Sequence, residues 1–571
     1  MTKSPPKTAR VASTGRQRRN SGIDVMAAPK VAKTPGSRPK AAKGGGPKGP
    51  ALRPASPQPN LDAKHQRLIG KTAAQDEDMV HPIALAAWPV RLGLMTRDPS
   101  ALAARLEILP RLAAIVGPKN LITDAADMGP YLIEPRGLFK GKALCVARPG
   151  RTKEVAAILA LCNETDTKLV PQGGNTGLVG GQIPYERGDE ILLSLVRLDK
   201  LREIDPFSNT MIVEAGMTLA QVQAEADAAG RFFPLSLAAE GSCTIGGNLA
   251  TNAGGTAVLA YGNARDLVLG IEVVLADGRI LSDLSKLRKD NTGYDLKHLF
   301  IGSEGTLGII TAAVLKLYPK PRAVATAFVG LSDPRHALRF FDRARDRAGG
   351  EIKSFELIPR IGIDSLLTHM DHVRDPLPSP APWYVLIELA SQSEGLEHRL
   401  LGLLENAAEN GDILDATIAA SLEQRKDFWR LRELLPDVQG REGGSIKHDV
   451  SVPIADVPTF LEEVELAVTR AIPGARLFAF GHLGDGNIHC NVSQPVGADT
   501  GAFLARWDEI NEIVNRIVIA HGGSISAEHG IGRLKRHVLQ SVKDPVALDI
   551  MRALKRTLDP KGILNSGKVL G

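Results

Sequence analysis

The sequence predicts an α+β fold built from more than one packed unit, and three observations carry that expectation. Between residues 120 and 320, short β-branched runs alternate with amphipathic stretches, without the regular beat of a repeating βαβ barrel. A second mixed stretch runs from residue 323 to about 415, and a last helix at 546–558 leads into Asp559-Pro560. The 571 residues are 43% hydrophobic and 23% charged, enough apolar material for roughly three or four domains. This composition excludes full-length disorder, a collagen and a small disulfide scaffold.

Residues 1–60 hold 13 Lys/Arg against the single acid Asp24, ten prolines and the run Gly44-Gly-Gly-Pro47. Such a stretch buries too little apolar surface to offset chain entropy, so residues 1–94 are expected to be a disordered basic tail. A translation start at Met79 or Met95 is the competing reading. The other 511 residues hold 57 basic and 63 acidic side chains, so the enzyme-sized part is net acidic and no nucleic-acid partner is expected. No run of 18 apolar residues occurs, and no transmembrane span is expected.

Residues 101–116 have helical periodicity interrupted by Pro110, which predicts two short helices or a kinked one. Residues 143–147 read as a strand, 152–163 as a helix and 168–171 as a strand entering a glycine loop. Strands follow at 191–195 and 211–214. Thr218-Leu-Ala-Gln221 is a capping box opening a helix that stops at Gly230. Residues 267–275 and 280–284 flank Ala276-Asp277-Gly278 as a hairpin, and 308–317 is another strand. In the second unit a helix is expected near 336–348 and a strand at 383–389. The four cysteines form no CxxC pair, which fits a reducing compartment better than a disulfide framework.

Three glycine-rich segments stand out. Pro171-Gln-Gly-Gly-Asn-Thr-Gly177 follows a strand directly. Its adjacent glycines, Gly173 and Gly174, suit positive φ and close backbone approach to an anion, and Asn175 and Thr176 add donors. The segment from Gly241 to Gly255 holds five glycines interleaved with Ser242, Thr244, Asn248, Thr251 and Asn252, while Ile245 and Leu249 read as packed. Buried donors of this kind must face a partner, and a large phosphate-bearing cofactor is the simplest one. The third segment, Ile301-Gly-Ser-Glu-Gly-Thr-Leu-Gly-Ile-Ile-Thr311, enters a strand. No G-x-G-x-x-G opens a helix in Rossmann fashion, and Gly562-Ile-Leu-Asn-Ser-Gly567-Lys568 lacks the Ser/Thr of a P-loop.

Two further segments carry histidines. Phe480-Gly-His-Leu-Gly-Asp-Gly-Asn-Ile-His-Cys-Asn-Val492 places His482 and His489 around a glycine turn, and Ser524-Ile-Ser-Ala-Glu-His-Gly-Ile-Gly532 holds Glu528 beside His529. Two histidines and one carboxylate with an open position form a catalytic metal pattern. Neighbouring side chains on extended backbone point apart, so one of Glu528 and His529 would ligate while the other acts as a base. Finally, Arg430 and Arg432 in Phe428-Trp-Arg-Leu-Arg-Glu433, with Lys447 in Ser445-Ile-Lys-His-Asp-Val-Ser451, are candidate anchors for a carboxylate. A solvated helix face is the plainer reading of the two arginines.

Taken in order and spacing, the three glycine loops resemble the FAD-binding domain of the vanillyl-alcohol oxidase type, and the histidine segments resemble its D-2-hydroxyacid dehydrogenase branch. The resemblance spans about residues 115–570. It implies an FAD-binding domain at 95–322, an α+β substrate or cap domain with the metal site at 323–537, and a helical C-terminal segment at 538–571 that returns to the flavin. By resemblance, FAD contacts fall on Pro171, Gly173, Gly174, Asn175, Thr176, Gly177, Gly241, Ser242, Thr244, Gly247, Asn248, Thr251, Gly308, Ile309 and Asn565. The first loop lacks the histidine that bonds flavin covalently in some members, so non-covalent FAD is expected. His482, His489 and Glu528 would ligate a divalent metal, zinc first among the candidates. His529 would take the substrate's hydroxyl proton, and Arg432, Lys447 and Asn491 would hold the substrate.

The implied reaction is oxidation of a D-2-hydroxy acid to the 2-oxo acid, with hydride passing to flavin N5. D-2-hydroxyglutarate leads among substrates, followed by D-lactate and glycolate. One departure touches this order: members selective for 2-hydroxyglutarate tend to have threonine four residues after the arginine, where this chain has Pro436. No haem or iron–sulfur cysteine pattern is present, which implies an external electron acceptor, an electron-transfer flavoprotein or a quinone-linked carrier. A homodimer is among the expectations, and so is a cytoplasmic site, at the periphery of the inner membrane or, in a eukaryote, mitochondrial. A non-redox flavoprotein synthase of the same superfamily is the alternative of another class.

Overall fold

The structure, a computed structural model, describes residues 107–570. The basic tail and the first residues of the 101–116 stretch lie outside the described residues. Within the described part of that stretch, Pro110 does not interrupt the helix. The helix Ile108–Val116 begins two residues before it, so the proline occupies the first turn, where a missing N–H leaves no bond unmade.

Four sheets organise the described residues. The first has the order Leu121–Ile122, Cys145–Ala147, Ile191–Ser194, Leu169–Gln172. Its last three strands are parallel, because the helix Thr152–Thr165 makes the crossover between two of them. Val155, Ile158, Leu159 and Cys162 form the buried side of that helix. The second sheet is antiparallel, ordered Leu201–Asp205, Thr210–Glu214, Ile309–Lys316, Val268–Val274, Ile280–Asp283. Its last two strands form the hairpin over Asp277-Gly278. Thr218 and Gln221 make both halves of the capping box on the helix Leu219–Ala228. A two-stranded ribbon pairs Tyr318–Pro319 with Arg231–Phe232.

An eight-stranded antiparallel sheet follows, and both of its faces are covered. Its order is Asp415–Ile418, Ala323–Leu331, Trp383–Ser391, Ile352–Pro359, Arg476–His482, Asn487–Ser493, Ser445–Ile446, with Asp449–Ser451 also paired to Asn487–Ser493. The side-chain alternation of a strand separates two cores. Val329, Phe355, Leu357, Val385 and Ile387 pack against Phe340, Phe341, Leu400, Phe460 and Val464 of three helices. Phe328, Ile358, Tyr384, Leu386, Phe478 and Phe480 face the other way, against the helices Arg360–His369 and Leu422–Glu433. The same alternation puts Glu356, Glu388, His482, His489 and Asn491 on that second face, toward the glycine loops. The chain end turns back as well: after the helix Pro545–Leu558, Leu564 bridges Leu169 in parallel, beside the first glycine loop. All four cysteines are buried and unpaired. Among the described residues no helix is long and apolar enough to cross a membrane.

Candidate active site

A cavity of about 1390 Å³ lies where the glycine loops meet the second face of the large sheet. That exceeds the roughly 300–1,000 Å³ of a single-ligand pocket, and matches a dinucleotide-sized cofactor with a small substrate beside it. Every site residue expected from the sequence lines it except Ser242 and the candidate anchor Arg430. The Ser242 side chain is exposed, and its hydroxyl turns back to the Ala239 carbonyl at 3.4 Å.

The glycine loops are shaped first by one another. A Cβ on Gly174 would lie 1.7 Å from the Ser242 carbonyl oxygen, and one on Gly173 would lie 2.3 Å from the Thr244 hydroxyl. These two glycines are therefore required where the first loop crosses the second. The expectation of positive φ at Gly173 and Gly174 is corrected: the left-handed residue is Asn175, at φ 56°. The Asn175 amide donates to Pro130 and Ile133 carbonyls, tying the loop to the preceding segment. Thr251 bonds back to the Gly247 carbonyl, and Asn248 reaches the Cys243 sulfur at 3.6 Å. Among the described residues, four buried cavity-lining side-chain atoms have no protein partner: the Thr244 hydroxyl and the Asn565 side-chain carbonyl beside the glycine loops, and Arg136 Nε and His448 Nε2. The Asn565 amide is fixed, since it donates to the Glu304 carbonyl at 2.9 Å. Buried orphan groups facing a large cavity fit a polar cofactor.

The histidine segments form the opposite wall. His482 ends one strand and His489 sits on the next, across the 3₁₀ turn Leu483–Asp485 and Gly486 at φ 80°. Their rings lie 5.7 Å apart. His482 and His489 each offer a ring nitrogen, and Glu528 a carboxylate oxygen, within 4.8 Å of one another. His482 Nδ1 is 2.6 Å from Glu356 Oε1, which leaves Nε2 to face Glu528 Oε1 at 3.8 Å. A ligand histidine held through its other nitrogen by a carboxylate is the usual outer arrangement of a metal site, so this donor set fits a divalent ion. Burial alone would lower the His482 pKa, but Glu356 outweighs it and raises it to about 9. Glu528 also accepts from the Gly255 N–H. A Cβ on Gly254 would stand 2.5 Å from the Glu528 carboxylate, so the end of the second glycine loop makes room for it.

A second group shares His489: Asp449, His489 and His529. Buried Asp449 accepts the backbone N–H groups of Glu528 and His529 at 2.8 and 2.9 Å, and its Oδ2 lies 3.7 Å from His529 Nδ1. Burial would raise the Asp449 pKa, but His529, Lys535 and His489 drive it well below the usual range. Asp449 thus stays ionised and fixes the segment that presents both Glu528 and His529.

Arg432 is 6% exposed, which overturns a solvated face at that position, whereas Arg430 is exposed. Its Nε donates to Glu356 Oε2 at 2.8 Å, and its guanidinium lies 4.8 Å from the Phe480 ring centroid. Lys447 Nζ reaches the Pro436 carbonyl at 3.2 Å. Asn491 is braced by Gln439 and by the backbone N–H of His448, both at 3.0 Å. Glu356 and Asp449 were not singled out from the sequence. Each is a carboxylate within or beside a strand, and an acid inside the apolar run Ile352–Pro359 is the one local signal that could have marked Glu356.

The two-part architecture and the cavity between glycine loops and a polar sheet face define a flavoprotein of the vanillyl-alcohol oxidase type. Residues 143–283 match the FAD binding domain family, and residues 320–569 match the C-terminal domain of FAD linked oxidases. Among solved structures, p-cresol methylhydroxylase aligns with a TM-score of 0.65 at 17% identity, over 82% of this chain and 97% of that one. Alkyldihydroxyacetonephosphate synthase aligns with a TM-score of 0.62 at 18% identity, over 82% and 86%.

Sequence relatives are nearer. The mitochondrial D-2-hydroxyglutarate dehydrogenase of Bos taurus is 40% identical over 80% of this chain and 83% of its own. Its Arabidopsis thaliana counterpart is 37% identical over 80% of each chain. D-2-hydroxyglutarate dehydrogenase of Xanthomonas citri pv. viticola is 36% identical over 79% of this chain and 94% of its own. The chain belongs to the family of FAD-dependent D-2-hydroxyacid dehydrogenases.

Proposed function

We propose that this protein oxidises D-2-hydroxyglutarate to 2-oxoglutarate with non-covalent FAD and a divalent metal. The observation that carries the reading is the convergence of the His482–His489–Glu528 donor set, the His529–Asp449 pair and Arg432, Lys447 and Asn491 on one cavity. The relatives' names supply the substrate. Thr244, Asn565 and the glycine loops would hold FAD, and no histidine stands in the first loop to bond it. When bound, FAD supplies the two-electron acceptor, and a metal such as zinc supplies the positive charge that favours the substrate alkoxide.

The chain's own residues orient and deprotonate the substrate. Arg432, fixed through Nε by Glu356, presents its remaining donors to a carboxylate. Asn491 is held by two bonds and cannot swing away. His529 has Nδ1 toward Asp449, so Nε2 is the atom that takes the C2 hydroxyl proton. Ionised Asp449 stabilises the imidazolium formed. Electrons then leave to an external acceptor of the electron-transfer flavoprotein or quinone-linked class. We assign residues 95–322 to cofactor binding, 323–537 to substrate and metal, and 538–571 to closing the flavin end.

One observation favours a second reading. Pro436 lines the cavity without a donor, and its carbonyl is already bonded by Lys447, so a shorter acid such as D-lactate competes as substrate. Anaerobic addition of D-2-hydroxyglutarate, D-lactate, glycolate and the L-forms to the yellow protein decides between them. The expected outcome is bleaching of the flavin band by D-2-hydroxyglutarate, abolished by a chelator. Bleaching by no acid, with flavin bound, would sink the dehydrogenase chemistry for this chain.

A further inference from the structure

Two cations, Arg136 and Lys447, line this cavity close enough for each to feel the other's charge. Arg136 sits on a tight turn made rigid by Glu134. The buried Glu134 carboxylate accepts the backbone N–H groups of Arg136 at 2.9 Å and Leu138 at 2.6 Å. Gly137 N–H closes the turn on the Glu134 carbonyl at 2.9 Å, with φ 70° at Gly137. The Arg136 guanidinium donates one bond to the Leu178 carbonyl at the end of the first glycine loop. Its Nε is buried and has no hydrogen-bond partner among the described residues. Arg136 and Lys447 both line the cavity.

Lys447 is in the complementary position. Its one hydrogen bond among the described residues goes to the Pro436 carbonyl at 3.2 Å. Among the described residues, neither cation has a carboxylate within ion-pair distance. The acids whose charge reaches them are Glu134 for Arg136 and Asp437 for Lys447. Burial lowers the Lys447 pKa, and the Arg136 charge lowers it further, so the two positive groups work against each other. An anion between them would relieve both. Arg432, by contrast, is committed to Glu356 beside His482, at the end of the cavity where the metal donors converge.

We propose that Arg136, with Lys447, clamps the second carboxylate of a dicarboxylic D-2-hydroxy acid and so determines specificity for it. The planar fork of arginine suits a carboxylate in a way that Pro436, with no donor, does not. The proposal rests on the dicarboxylate reading above. It adds a residue from the cofactor-binding part of the chain to the substrate site.

The test uses the FAD-loaded, full-length enzyme and Arg136→Gln, which keeps the side-chain stem, with Arg136→Lys as the conservative variant. Binding of 2-oxoglutarate and of 2-oxobutyrate, which lacks the second carboxylate, is read from perturbation of the flavin band. Turnover is read with D-2-hydroxyglutarate and D-2-hydroxybutyrate. Loss of one charge-assisted contact predicts that Arg136→Gln weakens 2-oxoglutarate binding and raises KM for D-2-hydroxyglutarate about 10- to 100-fold, with kcat little altered. The effect on the monocarboxylates should be at least about tenfold smaller, and Arg136→Lys should recover part of the loss. Equal weakening of both ligand classes, or no weakening of either, overturns the proposal. If the wild type turns over D-2-hydroxyglutarate while Arg136→Gln leaves its KM intact, the clamp falls and the substrate reading survives. If 2-oxoglutarate binds through Arg136 but D-2-hydroxyglutarate is not oxidised, the substrate reading falls and the clamp stands.

Discussion

Glu356 shows how much one buried carboxylate decides. One oxygen holds Arg432 Nε and the other holds His482 Nδ1, at 2.8 and 2.6 Å. The proposed substrate anchor and the proposed metal donor are thus oriented by the same side chain, which is 1% exposed. Burial would raise its pKa, but His482 and Arg432 lower it to about 2, so it remains an anion. Glu356→Gln preserves the volume and removes the charge that both partners require. Metal affinity and kcat/KM should each fall roughly 10- to 100-fold, the usual effect of losing an outer partner of a ligand histidine. Atomic absorption on dialysed protein and steady-state rates measure the two effects, and retention of metal at the wild-type level would refute this role.

The difference between legible and hidden residues is also one of range. The glycine loops, His482, His489 and Glu528 announce themselves because each motif is contiguous, with function and turn geometry written within a dozen residues. Glu356 lies 76 positions from Arg432 and 126 from His482. Arg136 and Lys447 line one cavity only because the fold brings segments more than 300 residues apart together. No local pattern encodes such meetings. Asn175 shows another limit of local reading: it lines the cavity as expected, but its side-chain amide N–H groups are used by the protein's own backbone.

At the scale of elements, the helix Leu422–Glu433 must hold Arg432 against the sheet, and Glu388 fastens it there. The Glu388 carboxylate accepts from Trp429 Nε1 of that helix at 2.7 Å, from Thr326 at 2.8 Å and from Lys353 Nζ at 2.8 Å, joining three strands to one helix. Burial would raise its pKa, but Lys353 and these hydrogen bonds outweigh burial and lower it. The folded form therefore binds the proton more weakly than the unfolded chain. Its contribution is present above the unfolded value of about 4.3 and is lost as pH falls through the folded value. Glu388→Gln leaves Lys353 without its buried partner and should destabilise by about 3–5 kcal/mol at neutral pH. Thermal melts from pH 7 to pH 4 check both consequences. The variant should start lower and lose less stability on acidification than the wild type, and parallel curves would contradict the assignment. The elements themselves were mostly readable, because helix and strand periods and the capping box are local. Pro110 shows what periodicity leaves open, because a proline in a first turn and a proline in a kink look alike without the boundary.

On the scale of the whole molecule, the cavity is contributed by residues from Arg136 to Asn565. The second glycine loop makes room for Glu528, and Glu304 of the third loop accepts the backbone N–H groups of Ile531 and Gly532 at 2.7 and 2.8 Å. Cofactor loops and catalytic segment are thus parts of one bonded framework. A ligand that fills the cavity binds the folded state alone, because no unfolded chain gathers these groups. FAD at 100 times its Kd should then add about 2.7 kcal/mol to the stability of the stripped protein. Because the cofactor and substrate parts share that framework, calorimetry should show the whole transition moving upward with FAD concentration. A transition at 143–283 that shifts while the rest unfolds at its old temperature would mean that the cavity does not couple the two parts.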